Sequence, residues 1–169
     1  MNDRSAAPGA LALVESLVNT LDIETGADTL DTREGRGRFG IAEDDLAEAR
    51  ELRESLRAAL LAHAGHRPHR EVTPLGELLS RAPLYIAVDE QDGSAGFAAP
   101  AAGSPLPTRV AAAVAQALVA GTWTRLKACE AETCHWAYYD RSPAGRGRWC
   151  SMQVCGARAK MRRYRAKEG

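Results

Sequence analysis

Four cysteines constrain the fold of this 169-residue sequence more strongly than any other feature. They form two pairs, Cys129 with Cys134 and Cys150 with Cys155, with four residues inside each pair and fifteen between the pairs. Two tight cysteine-bearing turns can deliver four thiolates to one tetrahedral Zn²⁺ ion from opposite sides. The spacing therefore predicts one zinc ion bound by Cys129, Cys134, Cys150 and Cys155.

Disulfides and an iron–sulfur cluster are the alternatives to zinc at these cysteines. We expect a cytoplasmic protein with reduced thiols, because no apolar secretion signal follows Met1. We expect no membrane partner, since the longest apolar run, around residues 110–120, is too short to cross a bilayer. Four thiolates leave no open position for a catalytic water, so the ion is predicted to be structural.

The formal net charge of zero hides an uneven distribution of charge along the chain. Residues 121–169 contain 11 of the 22 Lys and Arg but only 4 of the 22 Asp and Glu, and they contain all four cysteines. This division favours an acidic domain joined to a basic module that binds a polyanionic partner. Electrostatic docking of the two halves on each other is the alternative.

The spacing of apolar residues predicts a mostly helical N-terminal domain. Leucines and valines three or four positions apart indicate helices over residues 11–21 and 43–63 and a short one after Thr73-Pro74. A further helix is predicted from Ser104-Pro105 to a C-terminal glycine, Gly121. We expect this domain and the cysteine-bearing module to have separate cores.

Two connections in the N-terminal domain are predicted to be non-helical. Residues 22–43 are polar and Gly-rich, which is typical of a long loop. Residues 84–88 are β-branched and aromatic, and Asp92-Gly93 can turn the chain so that residues 97–99 return beside them. The second pattern predicts a small β-hairpin.

The sequence also predicts which polar residues on or near these helices are buried and which are exposed to solvent. Asn19 and Thr20 interrupt an apolar stripe and are expected to be buried hydrogen-bonding partners. The charged residues of the 43–63 helix are expected on a solvated face, because Glu54 lies one turn from arginines on both sides. These residues are Arg50, Arg53, Glu54 and Arg57. His63, His66 and His69 are interpreted as loop residues rather than metal ligands, since no cysteine lies near them.

Between the two cysteine pairs, the sequence predicts a second hairpin. Trp136, Tyr138 and Tyr139 indicate a strand, residues 142–145 a turn, and Arg148-Trp149 a returning strand. His135 and Asp140 could suggest a nuclease, but no second histidine accompanies them. We therefore expect His135 on the hairpin surface and predict that the protein is not an enzyme.

The last segment predicts a basic helix that Ser151 can cap. On a helical wheel, Val154, Ala157, Met161 and Tyr164 share one side, which is expected to pack on the hairpin. The other side and the hairpin turn present a cationic surface suited to phosphate contacts, with a solvated basic tail as the alternative. The predicted nucleic-acid-binding residues are Arg141, Arg146, Arg148, Arg158, Lys160, Arg162, Arg163, Arg165 and Lys167.

Several stretches of this module resemble the CGNR zinc-finger family. They are residues 125–129, 134–142, 148–152, 155–156 and 158–160. In that family a treble-clef-like zinc ribbon follows an N-terminal domain called ABATE, and residues 18–20, 28–31 and 52–57 are similar to the ABATE pattern. The sequence departs from the Cys-Gly-Asn-Arg motif at Ala157, so no role of that asparagine is carried over.

The resemblance implies an α+β protein with an ABATE-like domain over residues 1–121 and a CGNR-type zinc finger over residues 122–169. The first domain is then mostly helical with a small β-hairpin, and the second is a four-cysteine ribbon that ends in a basic helix. It further implies a stress-induced transcription regulator. Together with the predicted zinc site and cationic surface, this favours a protein that binds DNA through the zinc module, while the N-terminal domain senses a small-molecule ligand or a partner.

An adaptor that docks on RNA polymerase or another acidic protein is the alternative function. An RNA-binding module is the third possibility.

Overall fold

The computed structural model describes residues 6–101 and 103–168 of the chain. These residues form an α+β fold, as predicted. In chain order its elements are α1 (Leu11–Val18), α2 (Arg33–Gly37), α3 (Leu46–His63), α4 (Leu75–Leu79), β1 (Tyr85–Val88), β2 (Ala95–Ala98), α5 (Leu106–Val119), β3 (Leu126–Ala128), β4 (Ala137–Tyr139) and α6 (Ala157–Glu168). Short 3₁₀ turns cover Thr29–Asp31 and Trp123–Arg125, and a π-helical turn covers Met152–Gly156.

The core of the N-terminal part is formed where α1, α3 and α5 pack against one another. Leu17, Leu56, Leu60 and Val110 are fully buried there, as their helical spacing predicts. Gly121 follows α5 with a positive φ of 66°, which confirms its predicted role at the C-terminus of that helix.

The segment 22–43 is more ordered than its composition predicts. Asp28 and Thr32 accept hydrogen bonds from the backbone N–H groups that begin the Thr29–Asp31 turn and α2. Leu30, Phe39 and Ile41 of this segment are buried in the core. The prediction of a long loop is therefore wrong, because two side-chain caps form helical turns in the segment and three apolar residues anchor it in the core.

Strands β1 and β2 form the predicted hairpin, an antiparallel pair with Tyr85 opposite Ala98. The hairpin contacts α5, but Tyr85, Ile86 and Val88 remain exposed. Among the described residues, every helix is too short or too polar to cross a membrane.

The second hairpin differs from the prediction in its partner strand. Strand β4 pairs antiparallel with β3, which precedes Cys129, so that Leu126 lies opposite Tyr139. Residues 148–149 form no strand, because the chain after β4 folds around the Asp140 carboxylate instead of turning back along β4.

One continuous core joins the two parts of the chain. Leu126 and Ala128 of β3 and Ala137 of β4 are buried in the same cluster as the side chains of α1 and α3. A smaller cluster around the cysteines includes Tyr138. The expectation of separate cores holds for the cluster around the cysteines but not for the β3–β4 hairpin, whose apolar side packs on the N-terminal helices.

Candidate metal centre and its surroundings

The four cysteine sulfurs converge on one point. All four Sγ atoms lie within 4.8 Å of one another, and Cys150 Sγ is 3.6 Å from that of Cys134 and 3.7 Å from that of Cys155. A tetrahedral zinc ion with Zn–S bonds of about 2.3 Å places its sulfurs about 3.8 Å apart. The donor type, number and spacing therefore fit one structural Zn²⁺ ion, as the sequence predicted.

Backbone hydrogen bonds shape the two turns that carry these cysteines. In the first turn, the N–H of Cys129 donates to Trp136 O at 3.0 Å, and the N–H of Cys134 donates to Ala131 O at 2.8 Å. His135 follows with a positive φ of 46°, which sharply reverses the chain. The second pair is closed by the π-helical turn, where Ser151 Oγ accepts from the N–H of Val154 and confirms the predicted cap.

Four thiols at this spacing cannot all ionise on their own. The hydrogen bond with Cys129 and burial raise the pKa of the Cys134 thiol to about 12. Hydrogen bonds with Cys129 and Cys134, followed by burial, raise the pKa of Cys150 above its ordinary range. A divalent cation supplies the missing positive charge, so zinc binding must release protons.

Three side chains of the N-terminal helices hold the cysteine-bearing hairpin through its backbone. Asn19 forms a two-way clasp, donating to Ala137 O at 3.0 Å and accepting from the Ala137 N–H at 2.7 Å. Arg57 donates to His135 O at 2.9 Å, and His63 Nδ1 donates to Leu126 O at 2.7 Å. The hydrogen-bonding role predicted for Asn19 is confirmed, although its side chain is half-buried and not fully buried as predicted.

The charged face of α3 is buried, not solvated as predicted. Arg53, Glu54 and Arg57 are only 4%, 2% and 0% exposed, whereas Arg50 is partly exposed. Arg53 donates to Glu54 and to Asp28, and Arg57 donates to Glu54 and to Val18 O. The arginines can be buried because each one meets a carboxylate or a carbonyl.

Glu54 is the acceptor at the centre of this cluster. Burial alone would raise its pKa, but the hydrogen bond from His69 and the charges of Arg57 and Arg53 hold the pKa at about 2. Glu54 is therefore ionised at neutral pH and forms ion pairs with the two arginines that lie against it, while Asp28 supplies a second negative charge to Arg53.

The four histidines lie near the zinc site without joining the donor set. His66 Nε2 is 3.6 Å from Glu130, and His69 Nε2 is 3.1 Å from Glu54. His135 is buried, and its Nδ1 hydrogen-bonds to Cys129 O at 3.0 Å. The predicted surface position of His135 is wrong, because its strained turn directs the ring under the cysteine loop.

The structure places the nine predicted nucleic-acid-binding residues in two groups. Arg141, Arg146 and Arg148 are exposed around the chain segment that follows β4, and Arg148 pairs with Glu130 through both carboxylate oxygens. The others are exposed on α6, namely Arg158, Lys160, Arg162, Arg163, Arg165 and Lys167. Arg158 pairs with Glu24 at 2.9 Å, so the first turn of α6 is tied to the N-terminal domain.

Helix α6 does not pack as predicted. Val154, Met161 and Tyr164 are 49%, 52% and 60% exposed, and in α6 only Ala159 is buried among the side chains that the structure describes. The apolar face has no hairpin surface to cover, because the hairpin already packs on α1 and α3. Helix α6 therefore projects into solvent with both its charged and its apolar side chains accessible.

Comparison with protein families agrees with this architecture. The CGNR zinc finger profile matches residues 125–168. A second profile, ABATE, is described as "Putative stress-induced transcription regulator" and matches residues 10–122, about two thirds of the chain. The chain belongs to the ABATE family. No match to a curated protein was found.

The motif from which the CGNR finger takes its name corresponds to residues 155–158, where the π-helical turn leads into α6. Cys155 supplies a sulfur to the zinc site, and Gly156 is buried, with a Cβ there approaching Met152 and Trp149 within 3.3 Å. Ala157, which replaces the family asparagine, is exposed. Position 157 therefore faces solvent, where a side chain can contact a partner but supports nothing inside the fold.

Proposed function

We propose that this ABATE protein is a transcription regulator that binds DNA through its zinc finger. The observation that carries the proposal is the exposed cationic helix α6. Lys160, Arg162, Arg163, Arg165 and Lys167 are exposed, and no ion pair joins them to an acid among the side chains that the structure describes. Such a helix can neutralise several phosphates and release their counterions.

The zinc ion has a supporting role in this proposal. Four cysteine ligands fix the turn from which α6 projects and leave no position for a reacting water, so we assign the ion a structural role. The shared core joins the β3–β4 hairpin of the finger to the ABATE domain.

The proposed sensing role of the ABATE domain is supported by a groove in its surface. This groove has a volume of about 1030 Å³ and runs beside α3 and α4, with Arg53, Glu54 and His69 in its lining. Glu54 also accepts a hydrogen bond from Arg57, which donates to the zinc-finger backbone at His135. A ligand or partner that touches Glu54 in the groove would therefore be connected to the zinc finger through the Arg57 side chain.

A protein-binding adaptor is the second candidate function, because α6 also exposes an apolar face. Met161 and Tyr164 line a cleft of about 620 Å³ together with Lys160, Arg163 and Lys167. An acidic protein with its own apolar patch, such as a surface of RNA polymerase, would complement this face.

Salt-dependent binding to random duplex DNA tests the proposal against the adaptor. If α6 makes about three to five phosphate contacts, the logarithmic salt slope should be about −3 to −5. Changing Arg162, Arg163 and Arg165 together to Gln should reduce the slope by about two to three. The matched control changes Arg33, Arg67 and Arg81, exposed arginines of the ABATE domain, to Gln and should leave the slope unchanged.

Two results would contradict the DNA proposal. The first is an equal loss of binding in both triple variants, which would indicate attraction by net charge alone. The second is unchanged duplex binding with lost binding to RNA polymerase in the α6 variant, which would favour the adaptor.

A further inference from the structure

A second cleft opens on the zinc finger where the chain leaves β4 and returns to Cys150. Its volume of about 820 Å³ lies within the range of about 300–1,000 Å³ that is typical of ligand pockets. The lining includes two aromatic residues, Tyr139 and Trp149, and three arginines, Arg141, Arg146 and Arg148.

Each aromatic ring in this cleft has a guanidinium group over it. The Arg141 guanidinium lies 5.2 Å from the centre of the Tyr139 ring, and that of Arg148 lies 5.4 Å from the centre of a Trp149 ring. Unpaired nucleobases stack on aromatic rings and on guanidinium planes alike, and adjacent arginines meet the phosphate of the same nucleotide. The lining thus offers a stacking surface for a base and positive charge for a phosphate, and a single nucleotide contains both groups.

The wall of the cleft is held rigid by a buried carboxylate. Asp140 accepts hydrogen bonds from the N–H groups of Ser142 at 3.0 Å and Gly147 at 2.7 Å, and from Lys127 Nζ at 3.0 Å. The Tyr138 hydroxyl donates to Gly147 O at 2.7 Å. A Cβ on Gly147 would come within 2.9 Å of the Asp140 carboxyl group, so the segment is tightly packed on it. A preformed cleft of this kind binds without an ordering cost in its own backbone.

The charge of the cleft favours an anion. Asp140 is the one acidic residue in the lining, and it is neutralised by Lys127. Arg146 is exposed and, among the described side chains, has no ion-pair partner. A phosphate at the rim would therefore meet positive charge.

We propose that this cleft binds one unpaired nucleotide, with its base stacked in the Tyr139–Trp149 cleft and its phosphate at Arg146. The proposal rests on the proposed nucleic-acid binding and extends it, since α6 would hold a duplex by its phosphates while the cleft takes a base that has left the stack. The bases of an intact duplex cover one another's faces, so a perfect duplex cannot use the cleft.

The test compares three probes on the full-length, zinc-loaded protein by fluorescence anisotropy. They are a perfect DNA duplex, the same duplex with one unpaired thymidine, and a single strand of equal length. Stacking of one base should strengthen binding of the bulged duplex over the perfect one by about 5- to 150-fold. An RNA version of the single strand separates recognition of the base from recognition of the sugar.

Variants of the cleft residues test whether the difference in affinity between the bulged and the perfect duplex arises from the cleft. Trp149→Leu should bring the affinity for the bulged duplex down to that for the perfect duplex, while Trp149→Phe, which keeps a ring, should retain most of the difference. Arg162→Gln on α6 is the contrasting variant, since it should weaken both duplexes by the same factor. Zinc content confirms that each variant is folded.

Tryptophan fluorescence provides a second measurement on the unmodified chain. The bulged duplex should quench emission in the wild type but not in Trp149→Phe, whereas the perfect duplex should not quench it in either protein. Equal affinity of the wild type for the two duplexes, with no quenching, would overturn the nucleotide site and leave duplex binding by α6 standing. Failure to bind any probe would overturn both proposals.

Discussion

Helices α3 and α6 are both rich in arginine, yet the arginines of one are buried and those of the other face solvent. In α3, Arg53 and Arg57 are almost completely inaccessible, with Glu54 between them. In α6, Arg162 and Arg163 are exposed, and Glu168 is the only acid in the sequence of that helix. An arginine is buried where a carboxylate and backbone carbonyls surround it, and it remains available to a partner where they are missing.

The comparison assigns different roles to the two helices. The guanidinium group of Arg57 joins Glu54 of α3, Val18 O at the end of α1 and His135 O in the zinc finger. It is a structural link between the two parts of the chain. Among the side chains that the structure describes, the cations of α6 form no comparable link except through Arg158, so their charge is directed outward.

The largest expected effect comes from breaking the zinc site that carries α6. Cys150→Ser should remove the metal, and structural zinc contributes about 10–16 kcal/mol of apparent binding free energy in small zinc-finger peptides. Because β3 and β4 lie in the common core, hydrogen-exchange protection should fall in α1 and α3 as well as in the finger. Unchanged protection of α1 and α3 after zinc loss would show that the ABATE domain folds independently of its finger.

Arginine substitutions in the two helices test the comparison directly. Arg57→Ala removes one of the buried partners of Glu54 and the donor to two backbone carbonyls, and it should destabilise the protein by about 3–5 kcal/mol. Arg162→Ala, the matched change on α6, should alter the free energy of unfolding by less than about 0.5 kcal/mol. Urea denaturation measures both, and similar costs for the two variants would refute the distinction.

The buried acid of α3 predicts a pH dependence. The pKa of Glu54 is about 2 in the folded protein against an ordinary value of 4.5, so its contribution to stability is complete above about pH 4.5. That contribution is lost as the pH falls from about 4.5 toward 2, because the unfolded chain takes up the proton first. The stability advantage of the wild type over Glu54→Gln, at most about 3 kcal/mol, should shrink over that interval. A constant advantage down to pH 3 would contradict the assignment.

The smallest effect is expected on the apolar face of α6. Met161→Ala and Tyr164→Ala should each change the free energy of unfolding by less than about 0.5 kcal/mol, because both side chains are more than half exposed. Leu56→Ala, which truncates a fully buried side chain of α3, should cost about 2–5 kcal/mol in the same assay. A cost above 1 kcal/mol for Tyr164→Ala would show that α6 packs against the rest of the chain.

The zinc site could be predicted from the sequence because its determinants are local. Two cysteine turns with fixed spacing, a capping serine at 151 and a glycine at 121 act within a few residues of themselves. Helices α3 and α5 could be predicted from the spacing of their apolar residues, and the first hairpin from its β-branched and aromatic content and its Asp-Gly turn, for the same reason.

The missed features depend on contacts between distant parts of the sequence. Arg57 donates to His135 O, which lies 78 positions away in the sequence. The three-residue spacing between Glu54 and Arg57 did not reveal this contact, because the same spacing is typical of ion pairs on an exposed helix face. The exposure of α6 was missed because helical spacing shows that an apolar face exists, not whether a surface is left to cover it. Strand β3 lies before the cysteines, so no pattern between the pairs could reveal it as the partner of β4.

The clasp between Asn19 and the backbone of Ala137 limits how such modules can be recombined. A chimaera that joined this finger to a foreign domain would lose both hydrogen bonds of the clasp, as well as those from Arg57 and His63. The apolar side of β3 and β4 would then be exposed. The boundary near residue 122 therefore divides the chain into two sequence families, but a common core and several hydrogen bonds connect the two parts in the structure. Grafting the finger requires the receiving helices to carry side chains equivalent to Asn19, Arg57 and His63.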